Sequence, residues 1–395
     1  MRVLLFTGKG GVGKTTAAAG AAVLAARRGL KTLVLSTDAA HSLSDALGVT
    51  AGPEPVEASD GLHVAQVDAQ ARFQSSWGEV RGYLLALLNT AGVDEVMAEE
   101  LTVLPGAEEV LALLEVRDRV RSGRWDLVVV DCAPTAETLR LLALPEALGW
   151  YARRIFPPEH QVVRALRPML GRVSGLPLPR DAVFEAVARL QSELTEVREV
   201  LTAPGTSVRL VLTPEAVVVA EARRTMTSLS LFGYRVDGVV ANRVFPADGE
   251  PDRWRAGWIA SQARQLAEVE RSFAPLPVLR APYCPAEPIG AQALGDLAEL
   301  TYGDTDPFAA PGPDGPMDVS RSGEEFVLSL ALPFADRDSM DLVRTGDELV
   351  LTVGSARRVL ALPSALRRCT VVGAVLRDGR LRIRFEPDPA LWMGL

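Results

Sequence analysis

The stretch Gly8-Lys9-Gly10-Gly11-Val12-Gly13-Lys14-Thr15 constrains this chain more than any other, because it satisfies G-x-x-x-x-G-K-[ST] in strand–loop–helix context. It follows the apolar run Val3–Thr7 and opens the Ala-rich segment Thr16–Arg28, which reads as a helix. Glycines let the backbone curl so that successive N–H groups converge on one point, and the start of a helix adds its positive end there. A loop of this kind holds phosphates: Lys14 is expected at the β- and γ-phosphates of a nucleotide, and the Thr15 hydroxyl on Mg²⁺. A tight glycine turn with no ligand is the alternative for the loop taken alone.

Along the rest of the chain, short apolar runs alternate with amphipathic segments, the rhythm of βαβ units and a parallel sheet. The strands expected are Val3–Thr7, Thr32–Ser36, His63–Val67, Leu127–Asp131, Val208–Leu212, Val236–Ala241 and Val278–Ala281. Most are continuously apolar, as strands covered on both faces are. Residues of about 70–122 and 146–202 carry no strand signal and are rich in Leu, Ala, Glu and Arg, so they read as a helical subdomain inserted between strands. The stretch 304–316, DTDPFAAPGPDGP, reads as a linker, which divides the chain into 1–303 and 317–388. Beyond it Phe326, Leu328, Leu330 and Leu332 alternate, as do Leu349, Leu351 and Val353, and Leu381, Ile383 and Phe385, with turn signals at 345–347 and 377–379. That is a small antiparallel all-β domain. The fold class expected is α/β with a mostly parallel sheet and a helical insertion, followed by a β-sandwich.

Composition narrows the function. The chain has 395 residues, a formal net charge of −8, and only three lysines: Lys9, Lys14 and Lys31. Two lysines within six residues, in a chain that uses Arg almost everywhere else, point to compact ammonium groups that a guanidinium does not replace. Lys9 as a solvated surface residue is the plainer alternative. Asp131 ends the apolar run Leu127–Val130, where a carboxylate can hold Mg²⁺ directly or through water. Asp38 follows the strand ending at Ser36, and a carboxylate there can orient or deprotonate an attacking water; helix capping by Asp38 or Ser42 is the structural alternative.

Together these residues resemble the arsenite-pump ATPases (ArsA) and the eukaryotic ATPases that target tail-anchored membrane proteins. The resemblance covers most of 1–303 and rests on GKGGVGKTT at 8–16, STDAAHSLSDALG at 36–48, LPGAEEVLALLE at 104–115, DCAPTAETLRLLALPEAL at 131–148, VVANRVFP at 239–246 and APYCPAEPIG at 281–290. It implies a P-loop NTPase using ATP and Mg²⁺, with Gly8–Thr16 at the nucleotide. It implies a homodimer in which Lys9 is the signature lysine of the deviant Walker motif, reaching the phosphates of the other subunit. It also implies that Asp38 activates water in switch I, that 131–138 is switch II, and that Asn242, Pro282 and Tyr283 lie at adenine. The sequence departs from the family pattern at Ala39, where proline is usual, and at Ala136-Glu137, where Gly-His is usual. The β domain resembles the α-crystallin domain of small heat-shock proteins through Phe326–Pro333, Gly346–Thr352, Val359–Pro363 and Gly379–Phe385, without the I-x-I tail that builds large assemblies.

Three function classes remain. The first is an ATP-switched carrier or chaperone for a hydrophobic protein or membrane-protein client, with Leu84–Leu88 and Val162, Val163, Leu166, Met169 and Leu170 as candidate lining. The second is an energising subunit for anion transport. Cys132, Cys284 and Cys369 are too dispersed for a thiolate cluster, so metalloid activation is not expected, and His41, His63 and His160 are too scattered for a metal site. The third, a DNA-partition ATPase, fits poorly because the net charge is negative and no basic stripe is present, so no nucleic-acid partner is expected. No apolar run approaches the ~20 residues that span a bilayer. With no signal peptide expected at Met1 and no disulfide framework, a cytoplasmic location is expected.

Overall fold

The structure, a computed structural model, describes residues 1–38, 42–67, 107–133, 181–247, 249, 252–312 and 315–391. An eight-stranded sheet organises the first part. Its strands are β1 (Arg2–Thr7), β2 (Thr32–Ser36), β3 (Val56–Ser59), β4 (Leu62–Gln66), β5 (Leu127–Asp131), β6 (Thr206–Leu212), β7 (Val236–Val244) and β8 (Val278–Pro282), in the order β3-β4-β2-β5-β1-β6-β7-β8. All pairs are parallel except β3 with β4. β1, β2, β5 and β6 are buried at every position, which is why their sequences run apolar without alternation. β3, VEAS, is the strand that the sequence reading lacks: it is short, partly exposed and on the sheet edge, so burial gives it no apolar signature.

Seven helices flank this sheet among the described residues: α1 (Lys14–Arg27), α2 (Ser42–Leu47), α3 (Ala107–Arg121), α4 (Asp181–Thr202), α5 (Ala216–Leu231), α6 (Arg253–Phe273) and α7 (Gly290–Tyr302). α1 is Ala-rich because α7 crosses it closely: a Cβ on Gly20 would stand 3.0 Å from the Leu294 carbonyl oxygen and 3.4 Å from the Ala298 Cβ. Arg27 then ties the two helices at the surface, donating to Asp296 at 3.0 Å and Glu299 at 2.8 Å. α3 and α4 are the described ends of the two stretches read as a helical insertion, and they pair through Arg117 with Glu196 at 3.3 Å and Arg121 with Glu196 at 2.5 Å. The remainder of that insertion, including the candidate client-lining residues at 84–88 and 162–170, lies outside the described residues.

At the N-terminal edge of the sheet a buried ionic cluster joins β1, β6 and β7. Arg2 donates to Asp237 and to Ser207, each at 2.6 Å, and Arg209 reaches Asp237 at 3.3 Å and the Tyr302 hydroxyl at 3.2 Å. Burial lowers the Arg2 guanidinium to about 10, with the Asp237 carboxylate opposing that shift.

The second part is all antiparallel. Strands β9 (Met317–Ser322), β10 (Glu325–Ala331), β14 (Cys369–Arg377) and β15 (Arg380–Pro387) form one sheet, and β11 (Met340–Thr345), β12 (Glu348–Val353) and β13 (Ala356–Ala361) the other. Leu328, Leu330, Leu349, Leu351, Leu360, Leu381, Ile383 and Phe385 fill the core between them. One member of that core comes from the first part: Leu231, at the end of α5, is fully buried in it.

The connection between the parts makes contacts of its own at Pro307 and Phe308. The Pro307 carbonyl accepts from buried Arg209, and Phe308 packs on the main core beneath Arg28, whose guanidinium carbon is 5.9 Å from the ring centroid. The β domain also seats directly on α5 and α6. Arg358, almost fully buried, donates to the Leu231 carbonyl; the Thr227 hydroxyl donates to the Pro333 carbonyl; and Phe334 packs against Phe273 at 5.4 Å. Proline and glycine leave a segment without periodicity, but a single apolar side chain and a free carbonyl suffice to anchor it.

Candidate active site at the C-terminal edge of the sheet

Parallel strands that end together deliver their following loops to one place. In the sheet, Phe6 of β1 and Ser36 of β2 both stand opposite Asp131 of β5. The P-loop after β1, Asp38 after β2 and Asp131 at the end of β5 therefore converge. Thr37 fixes this edge further, its backbone N–H donating to the Asp131 carbonyl at 3.0 Å.

Gly13 caps α1 with φ 90°, and Gly11 has φ 80°, so both take the left-handed backbone that L side chains adopt only with strain. Gly8 is needed for a second reason: a Cβ there would strike the Val211 carbonyl oxygen at the end of β6. Lys14 is buried at the first turn of α1, whereas Lys9 stands at the loop tip with its side chain 40% exposed. Lys9 is thus outside the cradle that holds Lys14, and its Nζ lies 3.7 Å from Glu221 of α5.

Asp131 is fully buried, and among the described residues no well-formed hydrogen bond reaches either carboxylate oxygen, with the Thr15 hydroxyl close by. Burial pushes its carboxyl up to about 7; the neighbouring Thr15 hydroxyl and Lys14 ammonium pull it down, and Asp38 pushes it up slightly. An orphaned buried carboxylate beside Thr15 suits a hard divalent cation completed by water and phosphate oxygens, so the residues present fit Mg²⁺. Among the described residues no three His, Cys, Asp or Glu side chains gather into a metal cluster. The Asp38 main chain is held by Ser36, whose hydroxyl accepts from the Asp38 N–H at 3.2 Å, and by Gln66, which donates to its carbonyl at 3.3 Å. Neighbouring residues 39–41, with the Ala39 departure and His41, lie outside the described residues, as do Ala136 and Glu137 of switch II.

On the other flank a cavity of about 320 Å³ opens beside the P-loop, lined by Thr16, Asn242, Arg243, Pro282, Tyr283 and Leu297, among others. The structure therefore brings Asn242, Pro282 and Tyr283 together with Thr16. Tyr283 stacks on Phe245 at 5.2 Å with the rings 10° apart. Three residues near these sites escaped the sequence reading: Glu221, Arg243 and Gln262. For Gln262 a signal existed, since it interrupts the apolar stripe Ile259, Leu266, Val269 and Phe273 of α6 at a position where the helix is buried. The three cysteines lie apart, Cys132 just after β5, Cys284 just after β8 and Cys369 at the start of β14, and burial raises all three thiols above their ordinary range.

With fold and site in place, the class is that of a P-loop nucleotide hydrolase carrying an accessory β-sandwich. The family model for an anion-transporting ATPase, ArsA, matches residues 1–303, and the model for the HSP20-like domain found in ArsA matches 323–385. The chain belongs to the ArsA ATPase family and is an ATPase. Relatives span its whole length. A protein of Streptomyces coelicolor named only as uncharacterized is 42% identical over 394 residues, covering 99% of both chains. A Chlorobaculum tepidum protein named "Putative arsenical pump-driving ATPase" is 37% identical over 390 residues, 98% of this chain and 96% of that one. An Aquifex aeolicus protein with the same name, numbered 1, is 34% identical over 380 residues, 93% and 95% of the two chains.

Proposed function

We propose that the chain is a homodimeric, Mg²⁺-dependent ATP switch that carries or chaperones a hydrophobic client, closing with ATP and opening after hydrolysis. The observation that carries this reading is the contrast between the two P-loop lysines: Lys14 is buried at the first turn of α1, while the Lys9 side chain is 40% exposed and turned to Glu221. A cation so placed serves a neighbour's phosphates better than its own. Backbone N–H groups of Gly10–Thr15 would bind the phosphate chain, and Lys14 would neutralise its β- and γ-oxygens. Thr15 and Asp131 would hold Mg²⁺, which offsets the charge that develops on the leaving phosphate. Asp38 would orient or deprotonate the attacking water, and Lys9 of the partner subunit would stabilise the transferring phosphoryl group. Thr16, Asn242, Pro282 and Tyr283 would line the adenine site. No helix among the described residues is long and apolar enough to cross a membrane.

Asp38→Asn tests the switch. It removes the water-activating carboxylate and leaves the magnesium ligands, so hydrolysis should fall by at least about tenfold, roughly 1.4 kcal/mol in barrier. The closed ATP-bound dimer should accumulate, with client retained for identification by mass spectrometry. A smaller fall would assign water activation to another group. A second reading, the energising subunit of an anion-transport system, is favoured by the pump-driving names of the relatives. Retention of an integral membrane transporter rather than diverse apolar clients by the Asp38→Asn protein would favour it.

A further inference from the structure

We propose that Asn242, held by Gln262, is a positioning residue that clamps the phosphate loop from the side of β7, independently of any contact with the base. The inference rests on the nucleotide-site reading above and concerns what keeps that loop in shape before nucleotide arrives.

The observations form one connected chain. The Asn242 side-chain Nδ2 donates to the Val12 carbonyl at 2.8 Å, a bond between residues 230 apart, while its Oδ1 accepts the Arg243 N–H at 2.9 Å. Those two bonds fix the amide orientation and engage both ends of the side chain inside the protein. The Arg243 N–H points at Oδ1 from a left-handed backbone, φ 57°, which costs a non-glycine residue energy and must be held from outside. Gln262 on α6 supplies that hold. Its Nε2 donates to the Arg243 carbonyl at 3.0 Å, and its Oε1 accepts the Phe245 N–H at 2.8 Å, bracketing the kink on both sides. Asn242 and Gln262 are both buried, so neither amide exchanges these bonds with water at low cost. Finally, Asn242 approaches the loop so closely that a Cβ on Gly13 would collide with its Nδ2. Gly13 is therefore required by the clamp as well as by its own φ.

A residue that only read the base would leave the phosphate cradle intact when removed. A clamp on Val12 acts on the N–H groups that face phosphate, whatever base is attached. Asn242→Ala should weaken inorganic tripolyphosphate as well as ATP and GTP, by about five- to tenfold, as the loss of one buried hydrogen bond with its donor predicts. Amide hydrogen exchange across Gly10–Thr15 of the nucleotide-free protein should speed up by a similar factor. Gln262→Met keeps the side-chain volume and removes both of its amide bonds. It should move the same two readouts in the same direction without touching the nucleotide cavity. Unchanged tripolyphosphate affinity and unchanged loop exchange in both variants, with only the ATP-to-GTP ratio altered, would overturn the clamp and leave Asn242 as a base reader. Should Asn242→Ala not fold, Gln262→Met decides by itself. Failure of the wild-type protein to bind tripolyphosphate would instead count against the nucleotide-site reading, a result separate from these.

Discussion

Lys9 and Lys14 lie five positions apart on one loop, and the fold gives them opposite environments. Lys14 opens α1 and is buried; Lys9 is half-buried and lies 3.7 Å from Glu221. A partly solvated pair of this kind contributes little to stability, with a median of about 0–1 kcal/mol, so Lys9 is free in energetic terms to leave it. Lys14→Ala should therefore abolish nucleotide binding measured by calorimetry. Lys9→Ala should bind nucleotide and yet lose turnover by about 10³-fold or more, as removal of a cation supplied in trans does. Wild-type steady-state turnover in Lys9→Ala would remove the trans assignment and leave Lys9 a surface lysine.

Among the elements, the joint of β1, β6 and β7 is the most exposed to single changes. Asp237 accepts from both Arg2 and Arg209 where water scarcely reaches. Replacing it by Asn leaves two buried guanidinium groups without their counter-charge, so Asp237→Asn should cost about 3 kcal/mol or more in chemical denaturation. The proposed nucleotide ligands sit at the opposite edge of the same strands, so nucleotide affinity in the surviving folded fraction should be nearly unchanged. A loss of stability below about 1 kcal/mol would mean that Ser207 and the Gly205 carbonyl, both accepting from Arg2, and Tyr302 and the Pro307 carbonyl, both accepting from Arg209, suffice to satisfy the two arginines.

For the molecule as a whole, the seating of the β domain decides what truncation does. Leu231 lies in the β-domain core, and Phe273 lies under Phe334. Truncation after Gly303 uncovers both, and a fully buried Leu or Phe contributes about 1.5–3 kcal/mol relative to the exposed state. The shortened chain should melt several degrees lower and self-associate in light scattering, even though every candidate nucleotide residue is retained. An unchanged melting temperature would show that the seating is energetically idle. This outcome was not legible in the sequence. Residues 304–316 read only as a linker, because one carbonyl accepting from Arg209 and one ring, Phe308, leave no periodicity. By contrast, the sequence alone determined the parallel sheet, whose strands are apolar throughout because helices cover both faces, and it determined the P-loop, whose glycines answer to a local backbone requirement. It also located Asp131 and Asp38, because strands of one parallel sheet end at a common edge. Only the tertiary structure decided the edge strand β3, the clamp from Asn242 and Gln262 onto Val12, the buried cluster on Asp237, and the docking of Leu231. The edge strand pairs with its neighbour in sequence but is too short and exposed to carry an apolar signature; the other three depend on contacts between residues far apart in the chain, made by single polar or apolar groups that leave no repeating signal in the order of amino acids.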